Sequence, residues 1–205
     1  MGADRRSFGF LDLSFCRPEF VKWKTPLAGE TLASYAERLF EDIGDPEATI
    51  VGVSFGGMLA TEMAKKHPQT KVIIIASCKT FREIPAYLRC WKYLPIYRLH
   101  SEKFKGFSGK IVLDILGAKG RDQKKVQQEI LKDTDAGFTR WALHAIVTWK
   151  NTTIPDNLVH IHGTGDRLLP YRYVKADHCI HNGQHVLIMD HAAEVSQMLK
   201  EIIAP

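Results

Sequence analysis

The 205-residue sequence has few cysteines and no long apolar run. Its cysteines, Cys16, Cys78, Cys90 and Cys179, are scattered and form no C-x-x-C pair. This spacing indicates free thiols and favours a reducing cytoplasm. No apolar run approaches the ~20 residues that a membrane-spanning helix needs. The first ten residues also lack the charged-then-apolar order of a signal peptide. We therefore expect no membrane partner.

Charge is modest in amount but uneven along the chain. The formal net charge is +5 and no nucleic-acid-binding motif accompanies it, so we expect no nucleic-acid partner. The length predicts one domain. Lysine and arginine outnumber acidic residues between Lys79 and Lys132. That excess predicts either an ordinary solvated surface or a lid that attracts anionic substrates.

The segment from Ala48 to Pro68 reads as a strand, a tight turn and a helix. A β-branched apolar run precedes Gly52-Val53-Ser54-Phe55-Gly56, good helix formers follow it, and Pro68 ends the helix. G-x-S-x-G in this setting is typical of a nucleophile elbow, a turn that exposes a serine hydroxyl at the edge of a sheet. The turn requires very small residues two positions before and after the serine. The pattern alone is weak, because a glycine-rich turn without chemistry has the same letters.

Apolar runs and helical periodicity alternate on both sides of this segment. The alternation predicts an α/β fold with a mostly parallel sheet and helices on both faces. A stretch of helical segments interrupts it at residues 79–150, which is too long for a plain connection and therefore predicts an inserted unit. Besides the strand that leads to Ser54, the predicted strands are Glu19–Lys24, Lys71–Cys78, Asn157–His162 and Ala176–Ile180.

Two further residues complete a candidate catalytic set with Ser54. Asp166 follows a late strand, and His185 follows the next one. A serine hydroxyl needs a base to take its proton, and the base needs an acid to orient it. The order Ser, Asp, His is the order of an α/β-hydrolase triad. Asp166 alone could be a turn residue and His185 a loop histidine. His160 and His162 form an H-x-H pair, for which we expect packing rather than a metal.

The sequences GVSFGG, HGTGDRLLP and NGQHVLIMD resemble the α/β-hydrolase superfamily, specifically small bacterial hydrolases with a helical cap. The resemblance implies a core of residues 1–78 and 151–205, a cap at 79–150, and no cofactor or metal. It implies Ser54 as nucleophile, His185 as base and Asp166 as acid. It also implies an oxyanion hole built from the backbone N–H groups of Phe55 and Met1. Met1 would belong to a loop that follows an early strand in the family. That strand is missing from this sequence, so we expect a chain truncated at its N-terminus.

Three functions remain open at this point. The first is a serine hydrolase that cleaves a small acyl ester or thioester through an acyl-enzyme. The second is an acyltransferase with the same triad. The third is a ligand-binding or signalling module that keeps the fold with little turnover, since fold does not dictate function. The sequence predicts neither the substrate nor the oligomeric state.

Overall fold

Four parallel strands form the sheet in the computed structural model, which describes residues 4–45, 47–90, 93 and 113–204. The order across the sheet is β1-β2-β3-β4, so the strands lie in the order in which they occur along the chain. Val51 pairs with Ile73, and Ile73 pairs with Val159. The strands are β1 (Ile50–Val53), β2 (Val72–Ile75), β3 (Leu158–Gly163) and β4 (His178–Ile180).

Helices cover the sheet, and several of them lie in the described parts of the segment between β2 and β3. Residues 113–116 are also helical. The named helices are α1 (Arg5–Phe8), α2 (Leu32–Phe40), α3 (Phe55–Lys66), α4 (Ala86–Arg89), α5 (Arg121–Asp133), α6 (Ala136–Thr148), α7 (Leu187–Asp190) and α8 (Ala192–Ile203). The predicted stretch of helical segments at residues 79–150 lies partly outside the described residues.

Strand β2 shows why the sheet is buried on both faces. Successive side chains of a strand point to opposite faces. Val72 and Ile74 pack in one cluster with Ala60 and Ala64 of α3. Ile73, which points to the opposite face, packs in a second cluster with apolar residues of α8. The continuous apolar run of β2 is therefore the pattern of a central strand between two helical layers.

Helix α2 begins with a reciprocal hydrogen-bonded cap. The Thr31 hydroxyl accepts the Ser34 N–H at 3.1 Å, and the Ser34 hydroxyl accepts the Thr31 N–H at 3.0 Å. These reciprocal bonds cap the first turn of the helix. Tyr35 and Leu39 are buried on one face, as the helical spacing predicts.

The predicted strand at Glu19–Lys24 is wrong. These residues form no ladder, and Glu19 to Trp23 are exposed. The Lys24 N–H instead donates to the Tyr35 hydroxyl at 2.9 Å, and that hydroxyl donates to the Lys24 carbonyl at 2.8 Å. A side chain of α2 thus satisfies the backbone groups that a neighbouring strand would otherwise pair. Within the described residues, β1 is an edge strand of the sheet.

No helix among the described residues is both long and apolar enough to cross a bilayer.

Candidate active site

The strand-to-helix turn at Ser54 has the strained backbone of a nucleophile elbow. Ser54 has φ 53° and ψ −120°, a conformation that costs a non-glycine residue about 1–3 kcal/mol. Two hydrogen bonds to β2 and the residues just after it hold Ser54 in this conformation. The Ser54 N–H donates to the Ile75 carbonyl at 2.9 Å, and the Ser77 hydroxyl donates to the Ser54 carbonyl at 2.7 Å. Ser77 lies two residues after the end of β2, and nothing in its sequence spacing marks it as a partner of Ser54.

The elbow needs glycine at two positions, only one of which the motif predicts. A Cβ at Gly52 would overlap the carbonyl oxygen of Gly56 and lie 2.8 Å from the Gly57 Cα. A Cβ at Gly57 would lie 2.5 Å from the Ser77 Cβ. At Gly56 the nearest atom is Cη2 of Trp23, at 3.9 Å. Position 56 therefore has room for a Cβ and does not require glycine, whereas position 57, which the motif leaves open, is crowded.

The structure brings Ser54, Asp166 and His185 together. His185 lies with its Nε2 2.9 Å from the Ser54 Oγ and its Nδ1 2.8 Å from the Asp166 Oδ2. Ser54 follows β1, Asp166 follows β3, and His185 follows β4. All three therefore lie at the carboxyl end of the sheet, where ligands bind in open parallel sheets. Asp166 and His185 are each 4% exposed.

Backbone donors fix the carboxylate of Asp166. Its Oδ1 accepts the N–H groups of Leu168 and Leu169, both at 2.8 Å. Burial opposes ionisation of this carboxyl. The electrostatic interaction and hydrogen bond with His185, together with the Leu169 N–H, outweigh burial and lower the pKa of Asp166 below its ordinary value. Asp166 is thus an ionised group beside Nδ1 of His185 near neutral pH.

Close backbone contact joins the loops that carry Asp166 and His185. A Cβ at Gly163 would overlap the Gly183 carbonyl. The Gly165 N–H donates to that carbonyl at 3.0 Å, and the Thr164 N–H donates to the Ile180 carbonyl at 3.0 Å. Glycine at positions 163 and 183 therefore lets the two loops meet, which sets the spacing between the acid and the imidazole.

Of the two predicted oxyanion-hole donors, only Phe55 lies within the described residues. Phe55 is the first residue of α3, so its N–H belongs to the helix-start donors that have no partner inside the helix. These groups and the helix dipole favour negative charge next to Ser54. Met1 lies outside the described residues.

An aromatic cluster lies against the elbow. The Phe55 ring contacts Trp23, Phe138 and Trp141, with ring centroids 5.8–6.2 Å apart. Trp23 and Phe138 also line a cavity of about 300 Å³ between α1, residues 23–26 and the start of α6. Ser54 is not part of its lining.

Trp149, a tryptophan of the predicted insertion, packs in the core. Its indole N–H donates to the buried carboxylate of Glu62 at 2.6 Å.

His160 and His162 form a buried pair behind Asp166. Both are fully buried, and Nε2 of His160 lies 3.1 Å from Nδ1 of His162. Within the described ranges no cluster of His, Cys, Asp or Glu could hold a metal ion. Burial, with smaller electrostatic contributions from His162 and Lys79, lowers the pKa of His160 to about 2. The pair is therefore packed in the interior, which agrees with the expected packing.

Acid should destabilise the wild-type protein more than a His160→Gln variant, which keeps a donor for His162 but does not titrate. Below pH about 6.5 the unfolded chain binds a proton that folded His160 does not bind. Stability therefore falls as pH falls. Between pH 6.5 and 4.5 the wild type should lose about 2 kcal/mol more of its unfolding free energy than the variant. Urea unfolding at both pH values measures this difference.

His181→Gln is the control, because His181 is exposed. It should follow the wild-type pH dependence. Equal acid sensitivity of wild type and His160→Gln would show that His160 is protonated in the folded protein.

The chain is similar to known proteins in both sequence and fold. Residues 3–198 match the Alpha/beta hydrolase family. The biotin biosynthesis bifunctional protein BioHC of Teredinibacter turnerae is 27% identical over 76% of this chain. The alignment covers 33% of that protein, so the chain spans about a third of its length.

Solved structures show the same fold at low sequence identity. A thermophilic esterase from Thermogutta terrifontis superposes with a TM-score of 0.66 at 15% identity, covering 85% of this chain and 72% of that one. A lipase-esterase related protein from Clostridium acetobutylicum gives a TM-score of 0.65 at 17% identity, covering 98% and 90%. The family match spans nearly the whole sequence and the sheet has the expected parallel order. The chain belongs to the alpha/beta hydrolase family.

Proposed function

We propose that this protein is a serine hydrolase that cleaves a small acyl ester through an acyl-enzyme. The observation that carries the proposal is the unbroken pair of contacts from Ser54 Oγ to His185 and from His185 to Asp166, at 2.9 and 2.8 Å. This is the arrangement that activates a serine hydroxyl near neutral pH. Cys78 is not a competing nucleophile, because burial raises the pKa of its thiol well above the ordinary value.

The proposed reaction has two steps. The Ser54 Oγ attacks the acyl carbon while His185 Nε2 takes its proton, and the carbonyl oxygen becomes an oxyanion beside the Phe55 N–H. His185 then protonates the leaving alcohol as the ester C–O bond breaks. Water, deprotonated by His185, attacks the acyl-enzyme. His185 then returns the proton to Ser54 Oγ as the bond between Oγ and the acyl carbon breaks and the acid leaves. Asp166 holds the imidazolium in both steps.

We also propose that residues 79–150 form a cap on a core of residues 1–78 and 151–205. Two contacts support a cap held near the elbow. Arg6 bonds Asp133 of α5 at 2.7 Å, and Trp141 of α6 donates to the Glu30 carbonyl at 3.0 Å. Phe138 of α6 reaches Phe55. All four cysteines are free thiols, which favours the cytoplasm as the compartment.

A fluorophosphonate probe tests the proposed nucleophile, since it forms a covalent bond only with an activated serine. Wild-type protein should be labelled, and Ser54→Ala should not. Ser14→Ala, which removes an exposed serine, should be labelled like wild type. Equal labelling of wild type and Ser54→Ala, read by in-gel fluorescence and intact-protein mass, would disprove the assignment.

A further inference from the structure

The His160–His162 pair touches the proposed triad on the side away from Ser54. Nε2 of His162 lies 2.8 Å from the Leu169 carbonyl oxygen and 3.4 Å from Asp166 Oδ2, the oxygen that also faces His185. The triad mechanism uses neither histidine. Polar groups with no exposed surface are costly unless they are hydrogen-bonded, so the pair calls for a physical explanation.

The direction of each hydrogen bond follows from the acceptors present. A carbonyl oxygen only accepts, so Nε2 of His162 carries the proton that it donates to Leu169. Burial lowers the pKa of His162, although Asp166 and the Leu169 carbonyl oppose the shift. The ring is therefore neutral, and its Nδ1 accepts the proton on Nε2 of His160. Nδ1 of His160 then carries a lone pair, which fits its lack of a hydrogen-bond partner among the described residues.

We propose that His162 is a positioning residue of the hydrolase, acting on His185 through Asp166. The inference rests on the proposed function. The Nε2–H of His162 donates to the Leu169 carbonyl and thereby fixes its position, a contact called the His162 clamp below. The two peptide units immediately before that carbonyl supply the N–H groups that hold Asp166 Oδ1. The same Nε2–H of His162 also faces Oδ2 of Asp166, at 3.4 Å. The clamp thus fixes both the position and the rotation of the carboxylate, and His160 fixes the plane of the His162 ring.

Loss of this donor should change orientation rather than substrate binding. A displacement of the catalytic groups by about 1 Å can cost on the order of 10²-fold in rate. We expect His162→Asn, whose shorter amide cannot reach the Leu169 carbonyl, to lower kcat by about 10²-fold with little change in KM. His162→Gln places an N–H near the position of the imidazole Nε2, so it should restore most of kcat.

The test combines turnover of a short-chain p-nitrophenyl ester with a double-mutant cycle. If His162 acts through Asp166, His162→Asn should have no further effect in an Asp166→Ala background. Equal fold-losses in both backgrounds, or equal turnover of the Asn and Gln variants, would overturn the proposal. Asn157→Ala is the control, because Asn157 clamps three carbonyls at the opposite end of β3. It should lower Tm but leave kcat of the folded protein unchanged.

A spectroscopic measurement separates this proposal from the function on which it rests. The proton between His185 Nδ1 and Asp166 should give a far-downfield proton NMR signal, assigned by its loss in His185→Gln. His162→Asn should shift or broaden the signal, and His162→Gln should keep it. An unchanged signal in His162→Asn would overturn the proposal even if the protein hydrolyses no ester. His162→Phe, which keeps the ring volume, replaces the Asn variant in every arm if that variant does not fold.

Discussion

Asp166→Asn should lower kcat for a short-chain ester by about 10⁴-fold while the protein stays folded. The asparagine amide would present an N–H where the carboxylate accepts one from His185 Nδ1. The imidazole would then carry its proton on Nε2, the atom 2.9 Å from Ser54 Oγ. A protonated Nε2 cannot take the serine proton. Asparagine keeps an oxygen for the Leu168 and Leu169 N–H groups, so thermal unfolding should change little.

Steady-state kinetics with active-site titration measure this loss. Asp177→Asn is the matched control, because Asp177 also accepts a backbone N–H next to β3, that of His160 at 2.8 Å. Its turnover should equal that of wild type. A loss of less than about tenfold in Asp166→Asn would mean that another group orients His185, and it would remove Asp166 from the proposed triad.

The sequence predicts the parts of the site that depend on chain order. The Ser54 turn lies between an apolar strand and a helix, both of which the structure confirms. The structure also places Asp166 and His185 after consecutive strands. Parallel strands bring such loops to one edge of the sheet, so order along the chain becomes proximity in space. Local patterns therefore suffice to predict which side chains meet.

The sequence does not predict contacts set by packing between distant segments. Glu19–Lys24 alternates like a strand, but the Tyr35 hydroxyl takes the backbone bonds of Lys24. The strand propensity of these residues cannot reveal that a side chain from α2 takes their backbone hydrogen bonds. The hydrogen bond from His162 to the Leu169 carbonyl is likewise not predicted, because the H-x-H spacing favours packing but does not say which groups the histidines contact. Such contacts depend on loop geometry rather than on periodicity.

Gly52→Ala should prevent formation of the elbow, whereas Gly56→Ala should be tolerated. The new Cβ at position 52 would overlap the Gly56 carbonyl oxygen and lie 2.7 Å from the Gly56 carbonyl carbon. Both are backbone atoms that cannot rotate away. Relief requires moving β1 from the start of α3, and overpacking of this kind costs about 1–3 kcal/mol or more. The variant should lose fluorophosphonate labelling and unfold at lower temperature.

Gly56→Ala distinguishes steric need from the G-x-S-x-G pattern, which treats both glycines alike. Its Cβ would meet only Trp23, at ordinary van der Waals distance, and alanine favours the helix by about 1 kcal/mol over glycine. The variant should therefore keep labelling, and its Tm should equal that of wild type or exceed it by about 2–4 °C. Gly57→Ala, whose Cβ would lie 2.5 Å from the Ser77 Cβ, should behave like Gly52→Ala. Equal damage at positions 52 and 56 would mean that the motif reflects a requirement other than backbone crowding.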